Sequence, residues 1–243
     1  METEMKGKIA LVTGAAGGMG SAICALLERD GAMVVGLDLH AERQVIDESG
    51  PPIRLRCDVG DEADIESAIA QVKTRFGRLD FVVHCAALPQ GNVVWKLPVS
   101  EWDRILRTNL RSAFLLTHYG IPLMRASGDG GRIVLIGSTS GSTGRMGQSA
   151  YAASKAGLLG LAKSVARETA RFEILVNVIE PGIIRTAMSM GMPDDLRESA
   201  IAGTALGRMG EPEDIAAAVR FLCGPGGRHI TGQIIRVDGG EYM

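Results

Sequence analysis

Seven short runs of apolar residues, each but the last followed by a stretch of helical character, constrain this 243-residue chain more than any other feature. The runs are Ile9–Val12, Met33–Leu37, Ile53–Arg56, Phe81–Cys85, Ile133–Ile136, Ile174–Ile179 and Ile234–Val237. Most are continuously apolar, as strands covered on both faces must be, whereas a half-exposed strand would alternate. Helix signals fill the gaps. Asp61 predicts the cap of a helix reaching Phe76 and stopping at Gly77, Ser100 with Asp103 predicts another start, and Glu211-Pro212 a third. Strand then helix, six times over, predicts right-handed crossovers and a Rossmann-like, doubly wound α/β fold. A seven-stranded parallel sheet would lie between two helical layers. No linker or repeat divides the chain, so residues 1–243 are expected to form one domain. Ligands of such sheets bind beyond the carboxyl ends of the strands, so the residues after each run are the candidates.

Composition narrows the partners. Hydrophobic residues make up 46% and charged residues 22%, enough for a substantial core. A net charge of −2 gives no electrostatic reason to expect nucleic acid or an anionic membrane. Cys24, Cys57, Cys85 and Cys223 form no CxxC pair and have no metal-ligand spacing, so no metal is expected, and three of them lie in apolar runs. The polar opening Met1 to Lys8 predicts no signal peptide, and no apolar segment approaches the ~20 residues of a membrane span. A reducing cytoplasm is the expected location.

After the first run stands Thr13-Gly14-Ala15-Ala16-Gly17-Gly18-Met19-Gly20, leading into a helix expected near Ser21. Glycines at 14, 18 and 20 let the backbone turn tightly and approach a pyrophosphate, and a helix N-terminus supplies free N–H groups. Asp38 closes the second run, where a carboxylate can accept hydrogen bonds from ribose hydroxyls. Asp58-Val59 closes the third, placed to meet an adenine amino group and cover its ring. A glycine-rich turn alone is weak evidence; with two acids in register the pattern predicts a dinucleotide. Gly17, Leu39 and His40 put no basic side chain beside Asp38, so a 2′-phosphate would meet only like charge. The reading is NAD.

The fifth run ends Ile136-Gly137-Ser138, and Tyr151-Ala152-Ala153-Ser154-Lys155 follows on a helix expected to run to about Arg171. Positions i and i+4 share a helix face, so the Tyr151 phenol and Lys155 ammonium lie side by side. Hydride transfer at a carbonyl carbon needs a group that moves a proton at the oxygen. A free phenol, with a pKa of ~10, is too basic for that near neutrality. A neighbouring ammonium and a positive nicotinamide ring would lower it, and Ser138 can hydrogen-bond the developing oxyanion.

From Lys6 to Gly240 these residues resemble the short-chain dehydrogenase/reductase family. The resemblance is carried by Thr13–Gly20, Thr108-Asn109-Leu110, Ser138, Tyr151 with Lys155, Pro181-Gly182, and Val237-Asp238-Gly239-Gly240. It implies a catalytic tetrad of Asn109, Ser138, Tyr151 and Lys155, with Asn109 holding a water that links Lys155 to solvent. It also implies that Gly14, Gly18, Met19, Gly20, Ala86, Pro181, Gly182, Ile184 and Thr186 meet the cofactor, that Lys155 binds the nicotinamide ribose, and that the assembly is a homotetramer. Gly131-Arg132-Ile133-Val134 and Gly210-Glu211-Pro212-Glu213-Asp214 look like the 3-oxoacyl-carrier-protein reductase type. That type normally uses NADPH, against which Asp38 argues. His84-Cys85-Ala86-Ala87 replaces the family's common Asn-Asn-Ala-Gly, and His84 reads as a buried hydrogen-bonding substitute for an amide. Glu180 reads as a carboxylate turned to solvent or bonded to backbone, or as a negative charge near the nicotinamide.

The implied activity is hydride transfer between NAD(H) and a small secondary alcohol or ketone. NADPH-dependent 3-oxoacyl-carrier-protein reduction and a non-catalytic NAD-binding regulator are the alternatives. Specificity is expected from the loop Leu88–Val99 and a lid at about 185–208. Trp95, Met146, Met188, Met190 and Met192 would supply adaptable apolar surface, or else belong to local core.

Overall fold

In the computed structural model, residues 5–41 and 53–243 are described. The chain's opening residues 1–4, part of the stretch read as lacking a leader, lie outside them. Seven strands form one parallel sheet: β1 (Ile9–Thr13), β2 (Met33–Asp38), β3 (Ile53–Arg56), β4 (Phe81–His84), β5 (Gly131–Ile136), β6 (Ile174–Pro181) and β7 (Ile234–Val237). Nine α-helices connect them among the described residues: α1 (Gly18–Arg29), α2 (Glu62–Phe76), α3 (Val99–Leu106), α4 (Ser112–Ser127), α5 (Thr139–Thr143), α6 (Ser149–Thr169), α7 (Ala187–Met190), α8 (Asp194–Ala202) and α9 (Pro212–Cys223). A π turn at Arg107–Arg111 joins α3 to α4.

The strand order is β3-β2-β1-β4-β5-β6-β7. The winding therefore reverses between β1 and β4, and the crevice at that switch point is where a doubly wound sheet takes its ligand. Each face of the sheet buries its own core. On one, Ile65, Ile69 and Val72 of α2, Leu115 and Leu116 of α4 and Leu158 of α6 pack on Leu11, Val35 and Val82. On the other, Ile23 and Leu27 of α1 with Ile215 and Val219 of α9 cover Ala10, Val12, Val34 and Val83. That two-sided burial is the physical reason for the continuous apolar runs.

Two expected helix starts are corrected. The helix placed near Ser21 begins at Gly18 with Gly17 as its N-cap, so the glycines form its first turn as well as the approach to it. Ser100 caps nothing: α3 starts at Val99 behind Pro98, whose φ of −61° and ψ of 140° set the entry before the serine is reached. Asp61 does cap α2, accepting from Ala63 N–H at 2.9 Å, and Gly77 ends it at φ 66°. Glu211 opens α9 through a capping box with Asp214.

Candidate active site

Beyond the carboxyl ends of β1, β2, β4 and β5 lies a cavity of about 460 Å³. One end is walled by Gly14, Gly18, Asp38 and Asp58, and the other by Tyr151 and Lys155.

The glycine turn is sterically obligatory. Gly14 adopts φ +67°, and a Cβ there would stand 3.0 Å from the Ala86 backbone, so β1 and β4 close on each other through it. A Cβ on Gly20 would lie 2.0 Å from the Gly14 carbonyl oxygen. One on Gly18 would meet the Thr186 methyl at 3.1 Å, which places Thr186 over the turn. Thr13, which the sequence did not single out, locks this junction: its Oγ1 accepts from both Cys85 and Ala86 N–H at 3.0 and 3.1 Å. A backbone concavity facing the start of α1 fits a pyrophosphate, since free N–H groups and the helix dipole favour an anion.

Asp38 accepts from Ala16 N–H at 3.0 Å and His40 N–H at 2.9 Å, which fixes its carboxylate at the cavity edge. Its register partner on β3 is Arg56, an exposed basic residue on the same sheet face that adjacency in sequence did not reveal. Asp58 accepts from Gly60 N–H at 2.9 Å and lies 3.6 Å from the Arg107 guanidinium, a partner also missed. Val59 and Met19 line the wall alongside, as do Ala86 and Gly20.

Tyr151 and Lys155 sit one turn apart near the start of α6, with the Lys155 ammonium 5.7 Å from the centre of the tyrosine ring. Lys155 is 2% exposed and donates to the Ile136 carbonyl at 2.7 Å. Burial pushes its ammonium down to about 8, with a weak opposing pull from Cys85. Burial pushes the Tyr151 phenol above its ordinary value, and a hydrogen bond with Ser138 and the charge of Arg145 pull the other way. The expected lowering of the phenol by Lys155 is thus not a property of the protein alone: burial outweighs the pull of Ser138 and Arg145. Ser138, half-buried at the end of β5, also caps α5 by accepting from Ser140 N–H at 3.2 Å.

Asn109 is fully buried in the π turn. Its Oδ1 accepts from Leu88 N–H at 2.7 Å, and its Nδ2 donates to the Leu88 carbonyl at 3.0 Å and to Ser154 Oγ at 3.2 Å. Both amide donors are therefore used, and the side chain ties the segment after β4 to α6. Pro181, Gly182 and Ile184 stand off the cavity wall, unlike Thr186, Ala187 and Met188. Ile184 is 6% exposed in the core, and a Cβ on Gly182 would lie 2.7 Å from the Glu241 carboxylate.

His84 is fully buried and lies off the cavity wall. Ser112 donates to the Thr108 carbonyl, so its Oγ accepts from His84 Nε2–H at 2.7 Å, and burial with the Lys155 charge pushes the imidazole down to about 3. The bond to Ser112 ties β4 to the start of α4, and Nδ1 is left without a hydrogen-bond partner among the described residues. Glu180 is buried completely and is neither solvated nor bonded to backbone. It accepts from Ser142 Oγ at 2.7 Å, faces Arg236 Nε at 3.4 Å, and lies behind Gly137 in the cavity wall. On the open side Trp95 is 79% and Met146 91% exposed, with Met188 and Met190 about half so, which excludes the core reading of these four.

All four cysteines are buried and unpaired, and no group of three His, Cys, Asp or Glu among the described residues could hold a metal ion. No helix among them is long and apolar enough to cross a membrane.

The fold, the switch-point cavity and the tyrosine–lysine pair define a nicotinamide-dependent oxidoreductase acting on CH–OH or keto groups, and the chain belongs to the short-chain dehydrogenase/reductase family. The profile of a family described as enoyl-(acyl carrier protein) reductase matches residues 14–241. The 3-oxoacyl-[acyl-carrier-protein] reductase of Salmonella typhimurium is 41% identical over 241 residues, 98% of each chain. That of Escherichia coli K12 is 40% identical over the same length and coverage. The enzyme of the same name from Thermotoga maritima is 35% identical over 242 residues, 97% of this chain and 98% of its own.

Proposed function

We propose that the chain interconverts a secondary alcohol and a ketone with NAD(H), using Tyr151 as the acid/base. One observation carries this: Tyr151, bonded to Ser138 and beside Lys155, stands at the opposite end of one cavity from Asp38 and the glycine turn. When bound, the oxidised dinucleotide supplies a hydride acceptor and a positive charge next to the phenol. Tyr151 gives a proton to the carbonyl oxygen in reduction and takes one from the alcohol in oxidation. Ser138 hydrogen-bonds the same oxygen as its charge develops. Lys155, with one donor held by Ile136, has others free for a ribose hydroxyl. The glycine turn would hold the pyrophosphate, Asp38 the adenosine ribose, and Asp58 with Val59 the adenine. Residues 1–243 act as one dinucleotide-binding catalytic domain, with 185–208, whose Thr186, Ala187 and Met188 line the cavity, as a substrate lid.

Asp38 supports NAD, because its fixed carboxylate would face a 2′-phosphate. A second reading, reduction of a 3-oxoacyl thioester with NADPH, is favoured by the relatives' names, and Arg56 beside Asp38 is the basic group it would use. Following NADH and NADPH by their near-ultraviolet absorbance over a panel of ketones, secondary alcohols and 3-oxoacyl thioesters separates the two. NADH preferred by at least ~10-fold, or about 1.4 kcal/mol, supports the first, and the reverse preference refutes it. Tyr151→Phe should abolish turnover by ~10²–10⁴-fold while NADH still binds.

A homotetramer is the proposed assembly. Ala153 is exposed and Gly160 on α6 has open space around it, which lets another helix approach. Gly157 serves the chain's own packing, since a Cβ there would meet Leu110 at 2.6 Å. Light scattering that gives a monomer mass excludes the assembly.

A further inference from the structure

We infer that Gln90 is a positioning residue for Tyr151, coupling the substrate-side loop to the catalytic helix. This rests on the reading of Tyr151 as acid/base. Helix α6 begins without a cap of its own: Gln148, at the N-cap, makes no side-chain capping bond. The first-turn N–H groups of a helix have no intrahelical partners, and here two of them are satisfied from across the site. Gln90 Oε1 accepts from Ala150 N–H at 2.7 Å and from Tyr151 N–H at 3.1 Å. Those two donors fix which end of the amide is oxygen. Its Nε2 then donates to the Asn92 carbonyl at 2.8 Å and weakly to Ser149 Oγ at 3.4 Å, and the residue is 8% exposed.

The placement is specific. Gln90 is two residues beyond Leu88, which Asn109 grips through both main-chain groups. The loop is thus pinned at Leu88 to the π turn and at Gln90 to the backbone N–H of the catalytic tyrosine itself. From there it runs to Val94–Lys96, where Trp95 stands exposed. A substrate that moves this loop therefore pulls on the residue that sets where the Tyr151 phenol points. The capping oxygen also presents a lone pair, and no net charge, to the helix end. The charged and titratable groups near the phenol are Arg145 from the preceding loop, which lowers it, Cys85 from the end of β4, which raises it, and Lys155 on its own helix, 5.7 Å from the ring centre. A carboxylate at position 90 would join them.

The test uses the full chain with NAD present, and compares the unaltered protein with Gln90→Glu, Gln90→Ala and Tyr151→Phe. Tyrosinate absorbance is titrated, and subtraction of Tyr151→Phe isolates the Tyr151 midpoint. Gln90→Glu keeps the acceptor and adds a charge, so the midpoint should rise by roughly half a pH unit or more. Gln90→Ala leaves both N–H groups open, so hydrogen exchange at Ala150 and Tyr151 should speed up. Reduction of ethyl acetoacetate by NADH should fall by about 10- to 100-fold with NADH affinity unchanged, as misplacement of a reacting group predicts. An unchanged midpoint in Gln90→Glu overturns the inference, as does unchanged amide exchange in Gln90→Ala. If Tyr151→Phe keeps full turnover while the midpoint still moves, the acid/base reading fails and the coupling of Gln90 to Tyr151 stands.

Discussion

Replacing Lys155 by methionine should remove catalysis and at the same time relieve the cofactor-free fold of a buried charge. The two side chains are similar in length, so packing is nearly kept. Burial holds the ammonium at about 8 against an ordinary 10.5, which at pH 7 corresponds to roughly 3 kcal/mol of destabilisation. The sign follows from proton counting. Between those two values the unfolded chain holds a proton that the folded one has released, so this residue's contribution to stability rises with pH across the window. Against the gain stands the Ile136 carbonyl, whose 2.7 Å partner is lost, at about 1–3 kcal/mol. Lys155→Met should therefore be as stable as the unaltered protein at pH 7, or up to about 2 kcal/mol more so. By pH 10 that comparison should have moved by about 2–3 kcal/mol in favour of the lysine. Urea unfolding followed by circular dichroism, without cofactor, at both pH values measures the gap. The comparison cancels Cys24, Cys57 and Cys223, which burial raises to about 12 and which weaken both proteins alike in alkali, while Cys85, raised by burial to about 11 and pulled back by Lys155, adds to the gap on the lysine's side. A gap that stays constant with pH would refute the reasoning, because a lysine titrating normally has nothing to give back.

Other perturbations bear on separate parts of the molecule. Gly20→Ala forces a Cβ against the Gly14 carbonyl, so it should destabilise the fold by roughly 1–3 kcal/mol and weaken NADH binding, both measurable by thermal shift with and without NADH. Burial alone would raise the Asp80 carboxyl, but hydrogen bonds from Arg78, the Ile9 N–H and Lys8 hold it below the usual carboxylate range. Its stabilisation is present above the unfolded value and lost as pH falls through the folded one. Asp80→Asn should thus cost about 2–3 kcal/mol at neutral pH and flatten the acid side of the stability profile. Ser138→Ala should lower turnover on any substrate found while leaving NADH affinity within about two-fold, since its hydroxyl faces Tyr151.

The strands were legible because a sheet covered on both faces disfavours polar residues in its middle, and β1 and β5 carry that rule in four consecutive apolar side chains each. The glycine turn and the Tyr151–Lys155 pair were legible because close approach and helical spacing each restrict residue type. What the sequence hid depends on contacts between distant segments. Thr13 is an ordinary strand-end threonine until β4 arrives beside it, and Arg56 becomes a neighbour of Asp38 only through strand register. Gln90 belongs to no motif, because any acceptor that reaches Ala150 and Tyr151 would serve. The Tyr151 phenol went the other way from expectation because helical spacing reports which groups are near and says nothing about how dry the place is.

The π turn at Arg107–Arg111 carries a consequence for how this chain can change by insertion and deletion. A π turn is one residue wider than an α turn, so removing a single residue there would let α3 run into α4 as one regular helix from Val99 to Ser127. Nothing in that longer helix would unfold. Because the wide turn already absorbs the extra residue, the α3 and α4 flanks would keep nearly their present faces, and the change would fall on the turn itself, where Asn109 sits. Leu115 and Leu116 would stay buried, while Asn109, no longer carried by a widened turn, would lose its reach to Leu88 and Ser154. A frame-preserving loss of one codon would thus leave a folded, dinucleotide-sized scaffold whose catalytic wall has come loose.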